Sequence, residues 1–312
     1  MNGMSGMCDR FLPAGLAAGR VIARVGLVSD THMPARCGAF PAALFDAFSG
    51  VDMVLHAGDV GELWVLDALS TIAPVVAVHG NDDTEEATAA LPYSQVVSAG
   101  GLRILLTHAH YPNRLQEMAS RRDDAWGPKL ERRATMAREA GAQVVVFGHT
   151  HVPMTLAYDG VLLVNPGALA SGNNLMRQTQ CSAAILFVRD DGVPFVQHID
   201  LAGHAQACMP VVDWDAGFRA ALAALSAPII TPALAADLPR LAALGRLIAP
   251  AQSEAAYMRL AHRCWAGELD VITHDDLLAE LRQDETISLA AAHALASVLT
   301  DAPMPALLQQ AS

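Results

Sequence analysis

Five short apolar runs in the first half of the chain each stop at a residue type that binds metal ions. Residues 23–29 lead into Asp30 and His32, 53–58 into Asp59, 75–80 into Asn81, 102–107 into His108, and 143–148 into His149 and His151. Runs of this length, rich in Val, Ile and Leu and bounded by Gly or polar residues, read as buried strands. Ligands of an open parallel sheet gather beyond the carboxyl ends of its strands. The pattern therefore delivers seven side chains, two Asp, one Asn and four His, to one edge of one sheet. Residues two apart on an extended strand point the same way, which pairs Asp30 with His32 and His149 with His151.

Between the runs the apolar spacing turns helical. Residues 41–48 open at a Pro and carry Leu44, Phe45 and Phe48 on one face, and residues 61–70 repeat the pattern with Leu63, Leu66 and Leu69. Up to residue 78 the order is βαβαβ, which in one sheet means parallel strands and right-handed crossovers. Residues 94–99 and 102–107 then read as a hairpin turning at Gly100 and Gly101. Residues 111–138 form a polar insertion, helical over 128–140, in which Arg114, Arg121, Arg122, Lys129, Arg132, Arg133 and Arg138 face Glu117, Asp123, Asp124 and Glu131. We read it as a solvated helix face in preference to a lid. Antiparallel strands follow at 154–158, 161–165, 182–188 and 194–199, with Asp159-Gly160 and Asp191-Gly192 as hairpin turns. A parallel half followed by an antiparallel half predicts two sheets packed face to face with helices outside.

From residue 201 the pattern is helical throughout, without a strand signal. Helices are expected at 215–225, 233–248, 253–266, 274–282 and 287–299, with Ser253 and Thr273 as N-caps and Asp276 completing a weak capping box. The domain reading is a disordered leader over 1–22, a catalytic domain over 23–200 and an all-helical C-terminal appendage over 201–312. The leader's apolar stretch is short, broken by Pro13 and preceded by Asp9, which does not read as a signal peptide.

Composition adds exclusions. A formal net charge of −12 over 312 residues argues against a nucleic acid or an anionic membrane held by a broad basic surface. It leaves a phosphate substrate open, because bound cations dominate a local field. No apolar stretch reaches the roughly 20 residues of a membrane helix. The five Cys are scattered and form no CxxC pair, which points to a reducing cytoplasm and away from a thiolate zinc site. Carboxylate, amide and imidazole donors together suit Mn²⁺, Ni²⁺, Fe²⁺ or Zn²⁺. Seven ligands exceed what one ion with an open position can use, so two divalent ions sharing a carboxylate are expected.

Taken singly, Asp59 and residues 81–83 also read as helix N-caps. Taken in order, Asp30-Thr31-His32, Gly58-Asp59, Gly80-Asn81-Asp82-Asp83, Thr107-His108-Ala109-His110, Gly148-His149-Thr150-His151 and Asn165-Pro166-Gly167 resemble the calcineurin-like metallophosphoesterase superfamily. Residues 30–41 are most similar to its small YfcE-type phosphodiesterases, which are related to the retromer subunit Vps29. The resemblance covers about residues 24–200. It implies a four-layer αββα sandwich. It also implies a first ion, Mn²⁺ by preference, held by Asp30, His32 and His151, and a second held by Asn81, His108 and His149, with Asp59 bridging. The implied activity is hydrolysis of a small phosphodiester by metal-bound hydroxide.

Asp59, Asn81 and His110 are the candidate catalytic residues, His110 because it points with His108 if the strand continues. Position 82 departs from larger relatives, which place a general-acid His there where this chain has Asp82. Arg36 is read either as a phosphate contact or as a partner for a carboxylate, and His56 and His79 as hydrogen-bonded core residues. The alternatives are a Vps29-like, non-catalytic interaction scaffold, which has no need of all seven ligands, and a phosphomonoesterase. A homo-oligomer is left open, and the role of 201–312 is unassigned.

Overall fold

The computed structural model describes residues 7–13, 20–288, 291 and 294–297. The chain divides into two compact units, Met1–Gly172 with Gln178–Ser226, and Asn173–Arg177 with Ala227–Ser312. The strands of the first unit are β1 (Val21–Val28), β2 (Met53–His56), β3 (Val75–Ala77), β4 (Ser94–Ala99), β5 (Leu102–Thr107), β6 (Val144–Phe147), β7 (Met154–Tyr158) and β8 (Val161–Asn165). After β9 (Met176–Gln178), which stands at the division between the units, come β10 (Ser182–Arg189), β11 (Pro194–Asp200) and β12 (Gln206–Cys208). Its helices are α1 (Ala42–Phe48), α2 (Trp64–Ser70), α3 (Glu85–Ala90), α4 (Arg114–Arg122), α5 (Trp126–Glu139) and α6 (Phe218–Ala224).

One sheet has the order β12-β11-β10-β1-β2-β3, the other β4-β5-β6-β8-β7. β1, β2 and β3 are parallel, as the βαβαβ order requires. The three expected hairpins form at Gly100-Gly101, Asp159-Gly160 and Asp191-Gly192. The split into a parallel half and an antiparallel half does not coincide with the split between sheets, however. β10 to β12 extend the first sheet antiparallel from β1, whereas β5, β6 and β8 run parallel in the second. Hairpin turns fix only local pairing, so the long-range partners of β6 and β10 were not determined by them.

The apolar runs show little alternation because both faces of each sheet are covered. Val25, Leu27, Ile104, Leu106, Val144 and Val146 share one core between the sheets. The alternate residues face outward: Val28 and Phe187 pack with Leu44 and Phe48 of α1, and Val145 and Phe147 pack with Trp126 and Leu130 of α5. This is the helix–sheet–sheet–helix layering expected. Gly26 allows the close approach of α1, since a Cβ there would stand 2.8 Å from the Phe48 ring.

Two expectations about organisation change. Residues Met7–Phe11 form a 3-10 turn with Cys8 and Phe11 buried in the α1 core, and Asp9 accepts from Arg24 Nε and Nη2 at 2.6 and 2.9 Å. That part of the leader is ordered, while residues 1–6 and 14–19 lie outside the described residues. The boundary at 200/201 falls inside the first unit, because β12 adds to the sheet edge and α6 packs in the α5 core. A three-residue edge strand is too short to show a period.

In the second unit β13 (Ser226–Pro228) at the division is followed by α7 (Pro232–Ile248), α8 (Pro250–Trp265) and α9 (His274–Gln283). Their apolar stripes meet around Leu234, Leu241, Leu260, Leu277 and Leu281. The Thr273–Asp276 capping box forms as expected. Ser253 does not cap: α8 already begins at Pro250, and the Ser253 hydroxyl donates to the Ala249 carbonyl at 2.7 Å. Of the helix expected at 287–299, residues 291 and 294–297 are helical, while 289, 290, 292, 293, 298 and 299 lie outside the described residues.

Candidate metal centre

Asp30 and His32 follow β1, Asp59 follows β2, Asn81 follows β3, His108 follows β5, and His149 and His151 follow β6. These strands belong to both sheets, so the site lies where the carboxyl ends of two sheets converge, not on the edge of one. Asp30, His32, Asp59, His149 and His151 all hold left-handed backbone, with φ between 45° and 70°. Non-glycine residues there cost on the order of 1–3 kcal/mol each and persist only where surrounding contacts enforce them. Two glycines make the crowding possible. A Cβ on Gly80 would lie 2.0 Å from Asp59 Oδ1, and one on Gly148 would lie 2.8 Å from both the Ala57 carbonyl and Asp30 Oδ2.

Ligand-type atoms face one another closely. His151 Nε2 is 3.1 Å from Asp30 Oδ1, His108 Nε2 is 3.2 Å from Asp59 Oδ2, and His32 Nε2 is 3.6 Å from the same oxygen. Asp30, His32 and His151 form one buried set with ligand atoms all within 4.8 Å of one another; Asp30, Asp59 and His108 form another. Asp59 Oδ1 accepts from the Asp82 amide at 2.8 Å, and Asp30 accepts from the His149 amide at 3.2 Å. The Asn165 side chain braces the His149 turn, donating to the Gly148 carbonyl and Thr150 Oγ1 and accepting from the Gly167 amide.

Among the buried polar atoms here without a hydrogen-bond partner are His32 Nε2, His108 Nε2 and Asn81 Oδ1. Such atoms are costly unless something satisfies them. His108 Nδ1 donates to the Ala57 carbonyl at 2.8 Å, so Nε2 is the nitrogen that faces the Asp59 carboxylate and would give up its proton to a cation. Asn81 Nδ2 donates to Asp82 Oδ1 at 3.0 Å, which fixes its free atom as the amide oxygen. Bound cations would satisfy such acceptors, and an all-nitrogen-and-oxygen donor set fits borderline divalent ions.

The electrostatics agree. Burial opposes a charge on His108, yet the Asp59 carboxylate facing it outweighs burial and raises its pKa to about 9. Burial also opposes ionisation of Asp59 and Asp30, but the surrounding imidazoles hold both well below the ordinary carboxylate range. Burial dominates at His32 and His56, lowering them to about 4 and about 3.

The remaining candidates are placed as follows. His149 lies against the His108 ring, with 5.1 Å between centroids, but its Nε2 faces Glu117 Oε1 at 2.9 Å. His110 is 7% exposed, beside His108, His149, His79 and Tyr93, and burial lowers its pKa to about 3. Arg36 Nη2 pairs with Asp82 at 3.0 Å, while its Nη1 lies 3.2 Å from His32 Nδ1. Asp82, with His32 and Asp59, makes a third possible ligand set. His56 is buried on Thr31 Oγ1 at 3.0 Å; His79 is hydrogen-bonded to the Gly80 carbonyl but only half-buried. Neither Asp59 nor Asn81 caps a helix: Leu63 precedes α2, and the Thr84 side chain caps α3.

The insertion is not simply a solvated face. Arg133 is 4% exposed, stacked over Phe147 at 4.6 Å, and Glu117 of α4 reaches the centre. Reasoning from sequence missed Glu117, because nothing in its spacing set it apart from the other charges of the insertion. Its only signal was a place on the first helix after the His108–His110 loop.

An αββα sandwich gathering Asp, His and Asn side chains at its strand ends defines the class of metal-dependent phosphoesterases. The chain belongs to the calcineurin-like phosphoesterase superfamily, whose domain description matches residues 24–191. It is 35% identical over 146 residues to a probable metallophosphoesterase of Methanocaldococcus jannaschii, covering 46% of this chain and 67% of that protein. A phosphodiesterase of the same archaeon is 26% identical over 157 residues, 46% of this chain and 82% of its own. Vps29 of Cryptosporidium parvum shares the fold, with a TM-score of 0.50 at 22% identity over 61% of this chain and 97% of that one.

Proposed function

We propose that the protein is a dinuclear metal-dependent phosphodiesterase. Asp30, His32 and His151 would hold one ion and Asn81, His108 and His149 the other, with the Asp59 carboxylate shared between the two. The observation that carries this reading is that His32 Nε2 and His108 Nε2, buried and without a hydrogen-bond partner, face one oxygen of Asp59, while Asn81 Oδ1 at the next strand end is likewise buried and unbonded. Bound divalent ions, Mn²⁺ by preference, supply Lewis-acid charge for the phosphoryl oxygens and a nucleophile derived from water. The Ala57 carbonyl holds the His108 tautomer, and the Asp82 amide holds the Asp59 carboxylate, so both are oriented before substrate arrives. Asp82 is ion-paired with Arg36 and acts as an acceptor at the position where a proton donor would stand. His110, buried and kept neutral beside His108 and His149, is the residue assigned to contact substrate in this reading.

Five unpaired cysteines support a reducing compartment, the cytoplasm. Among the described residues, no helix is long and apolar enough to cross a membrane. The test is to strip the protein with chelator, restore it with Mn²⁺ or Ni²⁺, and assay bis(p-nitrophenyl) phosphate beside the monoester. Metal-restored activity favouring the diester is expected. Full activity of the stripped protein would sink the assignment, a preference for the monoester would make it a phosphomonoesterase, and two bound ions without turnover would favour a scaffold.

A further inference from the structure

A metal-binding imidazole uses one ring nitrogen for the ion and commonly donates its other N–H to a carboxylate or carbonyl, which sets the tautomer and raises ligand basicity. His108 follows this rule through the Ala57 carbonyl, so Nε2 is its free nitrogen. His149 is arranged the other way round. Its Nε2 lies 2.9 Å from Glu117 Oε1 and its backbone amide is fixed by Asp30, which leaves Nδ1 as the free nitrogen.

Glu117 is built to hold that position. It is 7% exposed, although it comes from a helix whose other charged residues face solvent. The Tyr111 amide donates to Oε2 at 2.9 Å, and Arg121 Nε donates to Oε1 at 2.6 Å. Both oxygens are therefore oriented independently of His149. Asn113 caps the same helix by accepting from the Leu115 and Gln116 amides, a side-chain role in helix stability and not in holding the Glu117 carboxylate.

We propose that Glu117 is a positioning residue of the second ion site: its carboxylate accepts from His149 Nε2–H and so presents Nδ1 to the ion. This rests on the reading that His149 binds the second ion. One dinuclear centre then uses opposite tautomers for its two histidines, Nε2 of His108 and Nδ1 of His149.

The test is metal binding and tautomer, not turnover. Titration calorimetry with Mn²⁺ and metal analysis would be run on the full-length parent, His149→Ala, Glu117→Ala, Glu117→Gln and Asn113→Ala. The parent should bind two ions and His149→Ala one. Glu117→Ala should weaken one ion about 10–100-fold, Glu117→Gln should recover most of that loss by keeping an acceptor, and Asn113→Ala should keep both ions. Long-range ¹⁵N spectra of the Zn²⁺-loaded parent should show the proton of His149 on Nε2 and that of His108 on Nδ1. Two undiminished ions in Glu117→Ala, an equal loss in Asn113→Ala, or a His149 proton on Nδ1 would each overturn the role of Glu117. A parent that binds one ion, or a His149→Ala variant that keeps two, would instead overturn the two-ion reading itself.

Discussion

At the scale of single residues, the centre turns on Asp59, the carboxylate that both His32 and His108 face. Asp59→Asn removes charge from both proposed ions, whereas His32→Ala removes one ligand of one ion. The first should cost at least about 10²-fold in kcat/KM and lower the content of both ions. The basis is that metal stabilisation is worth several kcal/mol and each 1.36 kcal/mol is tenfold. The second should cost less and spare one ion. Equal, mild losses with unchanged metal content would argue against a bridge. A second prediction concerns the leaving group. Arg36 engages Asp82 in an ion pair, and burial keeps His110 neutral, with its pKa lowered to about 3. Neither is a ready proton donor, and general-acid help is typically worth about 10²–10⁴-fold. The rate should therefore fall steeply as the leaving group's pKa rises, and p-nitrophenyl diesters should far outpace alkyl diesters. His110→Ala should leave that slope unchanged. A shallow parent slope that steepens in His110→Ala would make His110 the donor after all.

At the scale of elements, what could be read beforehand was whatever local pattern determines. Both-faces-buried strands such as β6, the turns at Asp159-Gly160 and Asp191-Gly192, and the Thr273 cap depend on neighbours in sequence, and each formed where expected. The seven candidate ligands could be picked out for the same reason, since each stands just beyond the end of a strand. Partners set by distant packing were not legible. β10 joins β1 across more than a hundred residues, and Glu117 meets His149 from an insertion that looked uniformly solvated. Ser253 looked like a cap only because Pro250 was not counted as the start of α8. The Thr273 cap gives a test at this scale. Thr273→Ala removes the acceptor for the Asp276 amide and should cost about 1 kcal/mol, read by chemical denaturation of the full chain. Because the second unit has its own core and contains none of the candidate ligands, metal content should not change. A variant that lost an ion would show that the helical unit shapes the centre.

For the molecule as a whole, stability and metal binding are coupled through the same buried acceptors. In the metal-free protein, the Asp59 charge, working against burial, raises the pKa of His108 to about 9. A group raised above its unfolded value, roughly 6.5 for His, contributes fully below about pH 6.5, and that contribution is lost as pH climbs through about 9. Asp30 and Asp59 are shifted down, so theirs is present above about pH 4 and steady through this window. His32 and His56 are lowered by burial, so they gain stability as pH rises from about 3–4 to 6.5 and add nothing further above it. Among groups with a resolved shift, His108 is therefore what tilts stability downward between about pH 6.5 and 8, and the cysteine thiols, all raised by burial, add to the fall as pH nears 9. A divalent ion takes the place of the proton, so its affinity should rise over the same range. At a hundredfold excess over Kd it should add about 2.7 kcal/mol. Thermal unfolding of chelated protein should show Tm falling from pH 6.5 to 9, with Mn²⁺ restoring more at pH 9 than at pH 6.5. The His108→Gln variant should lose the part of that tilt between about pH 6.5 and 8 even if its Tm is lower throughout. A chelated parent whose Tm is flat or rising over this window, or Mn²⁺ stabilising more at the acidic end, would mean that His108 and Asp59 do not share a cation site.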